Sequence, residues 1–392
     1  MASILGINLT DLNKKQLLQK INFLLNDNKS HFLVTPNPEI ILNAAKDEEY
    51  FFILNAADLA IADGFGLILA GLVQGKKMTR LTGSDLTPYL LNLAQAENKK
   101  TLIINWRKGL STESDIYQAL NNKYPKLNCK IIDIDKKEFL NEAEKQQIKN
   151  FAPQLIFVTL GAPYQEKLIY HELKEWSSVN LALAVGGSFD FLTNKIKRAP
   201  RLFRQIGLEW LWRLIKQPQR LKRIWRATVV FTLKVLNSLL IQPLIYRRNV
   251  AIMLYKKTEN STKILLVCRQ DNPEHWQLPQ GGTDGESLLI AGSRELREEL
   301  GTDKFKPLKT FKNLHVYEFT KSGLTPGKTG YRGQKQGLLI AEFLGDDDDI
   351  KINYWDHCDW KWIEADMFTK SIHPVRQEGY QKFYKAFLET VK

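Results

Sequence analysis

Six short apolar runs, at residues 31–35, 59–63, 101–105, 130–134, 155–160 and 181–185, punctuate the first half of the chain, with helical stretches between them. Continuous apolar runs of this length need cover on both faces, which is how the strands of a parallel sheet are built. Each connection is long enough to hold the crossover helix that a parallel pair requires. The first 200 residues are therefore expected to form a doubly wound α/β layer with ligands outside the carboxyl ends of its strands. At 392 residues the chain has room for a second core beyond that layer.

The turns after these runs carry chemistry. Thr35-Pro36-Asn37-Pro38-Glu39 offers Asn37 as a helix cap and Pro38 as a first helical residue, leaving N–H groups for a phosphate or sugar. Ala62-Asp63-Gly64 places a carboxylate at a strand end. Gly161-Ala162-Pro163-Tyr164-Gln165-Glu166 and Val185-Gly186-Gly187-Ser188-Phe189-Asp190-Phe191 are turns whose glycines let backbone approach a ligand. Singly, a capping Asn or a strand-end Asp is most often structural; their joint occurrence points to a site. Asp133-Ile134-Asp135 is a rival, a D-x-D metal motif of another transferase class, although strand ends often carry such acids.

Charge is uneven. Residues 1–250 hold 35 Lys+Arg against 22 Asp+Glu, whereas residues 251–392 hold 21 of each. The excess lies in residues 195–248, where 14 basic residues stand with one acid, Glu209. Such a strip needs an anionic partner: nucleic acid, lipid headgroups or a diphosphate. Inside it, residues 219–242 are basic at first and apolar later, with Lys234, Asn237, Ser238 and Gln242 interrupting the about 20 apolar residues that a spanning helix wants. An amphipathic helix lying on an anionic membrane surface, with Trp225 at the boundary, is the expectation; a helix packed between two domains is the alternative. No helix-turn-helix or interleaved aromatic platform accompanies the strip. Cys129, Cys268 and Cys358 have no C-x-x-C spacing, so free thiols in a reducing compartment are expected, and no signal-peptide pattern opens the chain.

The neutral second part contains WQLPQGGTDGESLLIAGSRELREELG at residues 276–301, a Gly-rich turn feeding a helix with Glu295, Glu298 and Glu299 at i, i+3 and i+4. Three carboxylates on one helical face repel one another unless a cation joins them, and a hard divalent ion such as Mg²⁺ takes such oxygens. Leu289, Leu296 and Leu300 form the stripe expected to face a core. Asp346 to Asp349 reads as a solvated turn, and the six histidines show no zinc-ligand spacing.

This segment resembles the Nudix box through Glu286, Arg294-Glu295-Leu296, Glu298-Glu299 and Gly301. It departs from it in the four residues between Gly281 and Glu286 and in Thr302, which stands where an aliphatic residue is usual. Gly333-Gln334-Lys335-Gln336 and Trp360-Lys361-Trp362 are similar to the branch that hydrolyses diadenosine polyphosphates and the 5′-triphosphate end of RNA. The resemblance implies a mixed-sheet α+β fold, Mg²⁺ held by Glu295, Glu298 and Glu299, and Asp356 as a further ligand. Arg269 and Lys335 are expected to contact the phosphates of a nucleotide or RNA 5′ end.

The earlier loops, together with Arg80-Leu81-Thr82-Gly83-Ser84-Asp85, Arg198-Ala199-Pro200 and Gly207-Leu208-Glu209-Trp210, resemble the WecG/TagA/CpsF family of bacterial glycosyltransferases. The resemblance implies inverting transfer of an N-acetylmannosamine-type sugar from a UDP-sugar to a polyprenyl-diphosphate-linked acceptor at the inner membrane face, with no cofactor. Asp63 would be the general base; Thr35, Asn37 and Gln165 would shape the donor pocket, and Arg213, Arg220 and Arg223 would meet the diphosphate. Tyr164 departs from the usual Lys, and Asn105-Trp106 lacks the Gly usual after its strand. The expected organisation is a transferase domain at 1–200, a basic membrane-associating appendage at 201–246 and a Nudix domain at 247–392. It gives a bifunctional, peripheral cytoplasmic enzyme of cell-surface polysaccharide synthesis for which an oligomer is compatible. A Nudix domain acting only as a nucleotide sensor, or an RNA 5′-pyrophosphohydrolase with a basic anchor, are the competing readings.

Overall fold

The structure, a computed structural model, describes residues 1–205, 207–216, 218–319 and 330–391; the side chains of Arg201, Gln205, Arg213 and Lys216 lie outside that description. The chain forms two compact units, Met1–Val235 and Leu236–Lys392.

The first unit opens with a hairpin that the sequence reading did not anticipate, β1 (Ala2–Ile4) and β2 (Ile7–Leu9). Its two-residue turn places both Leu5 and Gly6 at positive φ, 49° and 83°, the twist a tight hairpin demands. All six apolar runs then become strands of one parallel sheet: β3 (His31–Val34), β4 (Leu59–Ala60), β5 (Thr101–Trp106), β6 (Cys129–Ile134), β7 (Leu155–Val158) and β8 (Leu181–Ala184), in the order β4-β3-β8-β7-β5-β6. After β4 the chain crosses beyond β8 and β7 to reach β5, so the strand order reverses around β3 and β8. That reversal is where a doubly wound sheet opens a ligand crevice.

Two helices cover one face of the sheet. Helix Lys14–Asn26 buries Leu17, Ile21, Leu24 and Leu25, and helix Gly83–Ala96 buries Leu86, Leu90, Leu91 and Ala94, both at helical spacing against β-strand residues such as Leu33, Ile103 and Leu183. Burying each such leucine stabilises by roughly 1.5–3 kcal/mol. One expectation needs correction: the run at 59–63 is strand only as far as Ala60. Ile61 and Asp63 still donate their N–H groups to Val34 and Pro36 carbonyls, at 2.9 and 2.8 Å, but the chain is leaving the sheet. Asp63 therefore sits on the loop beyond the strand.

The basic strip forms helices Arg201–Gln205 and Glu209–Lys216 and then one long helix, Pro218–Leu244. By length and composition that 27-residue helix is apolar enough to cross a membrane, with mean hydropathy 1.5 in its apolar window and 11% of that window buried. Within the first unit its start is fastened to helix Pro38–Ala44: Arg223 pairs with Glu39, and Arg226 donates to Asn43 Oδ1 at 3.0 Å. Phe231 is buried beside Gly66, whereas Leu221, Trp225, Leu233 and Leu240 are each more than half exposed.

The second unit is the expected mixed-sheet fold. Strands β9 (Tyr246–Lys257), β10 (Thr262–Arg269), β11 (Asn272–Gln277), β13 (Phe305–Glu318) and β14 (Gly333–Phe343) lie in the order β11-β10-β9-β14-β13, with β12 (Gln280–Gly282) on β9 and β15 (His357–Glu364) on β10. β9 and β14 run parallel and the other pairs antiparallel. One face packs on helix Gln377–Thr390 through Met253, Ile340, Tyr380 and Phe383; the other packs on helix Leu288–Leu300 through Ile252, Leu339, Leu296 and Leu300.

Two further expectations are corrected here. Leu289 is 46% exposed, because the inward stripe runs through Leu288, Ala291, Leu296 and Leu300 and leaves Leu289 on the flank. Cys268 and Cys358 form a disulfide, with Cα atoms 5.5 Å apart, where free thiols were expected. Ninety residues separate them in sequence, and only the β10–β15 pairing brings them together. Asp346 to Asp349 is a surface turn, with Asp347 on Lys256 at 2.6 Å and Asp349 on Lys304 at 2.9 Å.

Candidate active sites

At the carboxyl ends of β3, β4, β7 and β8 lies a cavity of about 410 Å³ that Thr35, Asn37, Asp63, Gln165, Arg220 and Arg223 all line. Stretches far apart in sequence thus converge where the strand order reverses. The Arg213 side chain lies outside the described residues.

Each wall residue is held by its own element. Asn37 caps helix Pro38–Ala44, its Oδ1 accepting from the N–H groups of Glu39 and Ile40 at 3.0 Å each, so its amide NH₂ is what remains for a ligand. Thr35 donates to the Ala184 carbonyl at 3.4 Å, which pins the end of β3 to β8. Asp63 accepts from the Gly83 N–H at 3.4 Å. Gly83 is closely packed: a Cβ there would lie 3.2 Å from Ser188 Oγ and 3.4 Å from Thr35 Oγ1. Gln165 Oε1 accepts from both Gly161 N and Gly186 N, at 3.1 and 3.0 Å, while its Nε2 donates to Glu166 Oε1 at 2.7 Å. Burial pushes the Glu166 carboxyl up to about 7, against the hydrogen bond from Gln165.

Several motif residues hold the unit together instead of lining the cavity. Arg80 pairs with Glu209 at 2.7 Å and Arg198 with Asp85 at 2.6 Å, fastening the segment after the sheet. Burial opposes ionisation of Asp85, yet Thr82 and Arg198 hold its carboxyl below the usual range.

Lys136 is a cavity residue that sequence reasoning missed. Its ammonium stands 3.9 Å from the centre of the Trp106 ring. Neighbouring Arg107 and Lys137 are taken up by Asp135 and Glu144, whereas Lys136 makes no ion pair among the described residues. The one signal available was the departure at Trp106, whose ring lies under the Lys136 ammonium. The D-x-D alternative is not supported, since Asp133 accepts from Asn105 at 2.8 Å and Asp135 pairs with Arg107 at 3.3 Å. Elsewhere, ligand atoms of Glu49, Glu138 and His171 lie within 4.8 Å of one another, but the Lys167 ammonium is already 2.6 Å from Glu49 and 3.4 Å from Glu138.

The second unit builds its site from helix Leu288–Leu300 and the turn before it. Ser287 caps the helix and Gly301 ends it in the left-handed region, φ 62°. Glu295 and Glu299 are buried, at 4% and 6% exposure, while Glu298 faces solvent. A Cβ on Gly281 would overlap the Glu295 carboxyl, so the glycine is the seat of that carboxylate. Arg294 Nη1 stands 2.8 Å from both Glu295 and Glu298, and its Nε is 3.1 Å from Glu286. The loop that is one residue shorter than usual therefore still delivers Glu286 to the cluster. Glu299 accepts from Gln280 N at 3.1 Å and lies 3.4 Å from His357 Nε2. Burial opposes protonation of His357, but the Glu299 carboxylate wins and raises its pKa.

Among the described residues no three of Glu295, Glu298, Glu299 and Asp356 bring ligand atoms within 4.8 Å of one another. The carboxylates are contacted by Arg294, Gln280 and His357. The donor set nonetheless fits a hard cation: carboxylate oxygens, two of them buried, beside a glycine seat. Asp356 lies in the turn before β15, its N–H bonded to Asn353 Oδ1 at 3.0 Å. Arg269 is engaged by Asp271, and Lys335 lies on β14 opposite Arg248, half-buried. Behind the turn runs a buried amide chain in which Gln336 donates to Asn249 at 3.0 Å and to Gln280 at 2.9 Å.

A family model described as the glycosyl transferase WecG/TagA/CpsF family matches residues 2–244, and a NUDIX domain model matches residues 245–387. An N-acetylglucosaminyldiphosphoundecaprenol N-acetyl-beta-D-mannosaminyltransferase of Bacillus subtilis (strain 168) is 30% identical over 215 residues, 54% of this chain and 79% of that protein. The protein of the same description from Bacillus spizizenii is 31% identical over 224 residues, 56% of this chain and 85% of its own length. An RNA pyrophosphohydrolase of Wolbachia pipientis subsp. Culex pipiens is 38% identical over 152 residues, 38% of this chain and 92% of that protein.

Proposed function

We propose a two-site enzyme for this chain, which belongs to the glycosyl transferase WecG/TagA/CpsF family through residues 2–244 and carries a NUDIX domain at residues 245–387. The first site transfers an N-acetylmannosamine-type sugar from a UDP-sugar to a polyprenyl-diphosphate-linked acceptor. The observation that carries this reading is the convergence of Asp63, Thr35, Asn37, Gln165, Arg220 and Arg223 on one cavity at the strand ends. The acceptor hydroxyl attacks the anomeric carbon as Asp63 takes its proton; the bond to the diphosphate oxygen breaks, and one displacement inverts the anomer. Arg220 and Arg223 offset the charge on the departing UDP, and Lys136 meets the diphosphate both before and during departure.

The acceptor is a lipid, and the exposed apolar side chains of helix Pro218–Leu244 with its basic start suit an anionic membrane surface. The transferase domain is taken as 1–200, its appendage as 201–246 and the Nudix domain as 247–392, with the enzyme peripheral at the cytoplasmic face. In the Nudix domain Glu295, Glu298 and Glu299, with Asp356 adjoining, would hold Mg²⁺. Bound there, the ion supplies Lewis-acid polarisation of a phosphoanhydride and a more acidic water. The chain's own part is to orient the carboxylates through Gln280 and Arg294 and to offer Arg269 and Lys335 to the phosphates of a nucleotide or RNA 5′ end.

Incubating the full chain with UDP-sugars, polyprenyl-diphosphate sugars, dinucleoside polyphosphates and triphosphorylated RNA, and weighing the products, tests both activities. UDP release dependent on the lipid acceptor supports the transferase reading; none with any donor contradicts it. A nucleotide sensor, the competing reading of the Nudix domain, would show saturable nucleotide binding without metal-dependent turnover.

A further inference from the structure

Glu166 is 1% exposed, deep beneath the transferase cavity, and no cation meets it among the described residues. Its neighbour Lys167 turns the other way, to Asp47 at 3.1 Å and Glu49 at 2.6 Å. Burying a carboxyl without a cationic partner is costly, and an apolar residue of similar volume would fill the space more cheaply. Its retention calls for a task that Leu or Met cannot perform.

The contacts around Gln165 supply one. Gly161 and Gly186, at φ 79° and 50°, shape the turns after β7 and β8, and both turn their N–H groups to a single oxygen, Gln165 Oε1. A glutamine amide turned by 180° occupies nearly the same volume, so packing alone does not choose which end faces the turns. Hydrogen bonding chooses from both ends: the two N–H groups require the carbonyl, and Glu166 Oε1 takes Gln165 Nε2 at 2.7 Å and locks the amide that way round. The reversed amide would set NH₂ against two N–H donors and an oxygen against an oxygen.

We propose that Glu166 is a positioning residue of the sugar-nucleotide pocket: by fixing the Gln165 amide it ties the turns at Gly161 and Gly186 into one wall. It touches no substrate, and the inference rests on the transferase reading of that cavity. Tyr50 is fully buried beside Glu166.

The test is a double-mutant cycle on the full chain, reading UDP affinity by calorimetry, donor KM, kcat and melting temperature. Glu166→Leu is expected to raise the UDP Kd and donor KM by about tenfold with kcat changed less than about threefold and melting temperature kept or raised. Glu166→Gln, which still presents an acceptor to Gln165, restores wild-type affinity to within about threefold. Because Glu166 acts only through Gln165, adding Glu166→Leu to Gln165→Met costs nothing beyond Gln165→Met alone. Additive losses, or unchanged UDP affinity in a folded Glu166→Leu protein, overturn the proposal. If Glu166→Leu does not fold, Gln165→Met against Glu166→Gln decides it: wild-type affinity in the first or a tenfold loss in the second overturns it. A wild-type chain that binds no UDP fails the transferase reading itself, a result distinct from any of these.

Discussion

Glu299 Oε2 accepts the main-chain N–H of Gln280 at 3.1 Å, locking the Gly-rich turn to the helix that carries the acidic cluster. Neutralising that carboxylate should weaken the turn and, on the proposed reading, the binding of Mg²⁺. Glu299→Gln and Glu298→Gln are expected to lower Mg²⁺-dependent phosphoanhydride hydrolysis by about 100-fold or more while leaving glycosyl transfer intact. Initial rates of both reactions on one preparation check this, and hydrolysis at wild-type rate in both variants would remove the metal assignment.

Lys136 is, with Lys197, a cavity cation the sequence did not single out, and the Trp106 ring lies under its ammonium. Lys136→Met should raise the KM for a UDP-sugar by about tenfold, with a smaller effect on kcat, if the ammonium meets the diphosphate in ground and transition states alike. Steady-state kinetics at two salt concentrations measure it; a KM unchanged at low salt places the contact elsewhere.

The raised Glu166 carboxyl has a consequence for stability. Its folded pKa of about 7 lies above the ordinary 4.5, so in that interval the unfolded chain releases the proton and the folded chain keeps it. The contribution is fully present below about pH 4.5 and is lost as pH rises through 7, a change on the order of 3 kcal/mol. Urea unfolding of the transferase unit between pH 5 and 8 should show wild type losing stability relative to Glu166→Gln. Parallel curves for the two proteins would mean that Glu166 is ionised in the fold.

The exposed apolar residues Leu221, Leu233 and Leu240 lie on helix Pro218–Leu244, whose start carries Arg220, Lys222, Arg223 and Arg226. Replacing the three leucines by Gln should weaken binding to anionic vesicles by about tenfold or more for each side chain that is fully buried on docking, at roughly 1.5–3 kcal/mol apiece. Co-sedimentation measures this, and undiminished binding would leave the basic residues alone as the anchor.

Periodicity made the two architectures legible, because continuous apolar runs leave few alternatives to a covered parallel sheet and the Glu spacing fixes one helical face. Motif order located Asp63, Thr35, Asn37, Gln165, Arg220 and Arg223, which the fold then brought to one cavity. What stayed hidden depends on tertiary neighbours. Leu289 differs from Leu288 only in which side of the stripe meets β14, Cys268 and Cys358 meet only through strand pairing, and Lys136 reaches the cavity from a loop whose neighbours all point to structural ion pairs. Nor does sequence reveal that Arg294, and not a solvated surface, receives three glutamates.

The most direct test of the account is Asp63→Asn in the full chain. Asp63 lies on the cavity wall with its carboxylate accepting from the Gly83 N–H, a contact that Asn can retain through its carbonyl. Transfer from UDP-sugar to the polyprenyl-diphosphate acceptor should fall by about 10²- to 10⁴-fold, the usual contribution of a general base, while UDP affinity and melting temperature hold. Near-wild-type transfer by a well-folded Asp63→Asn protein would contradict the mechanism.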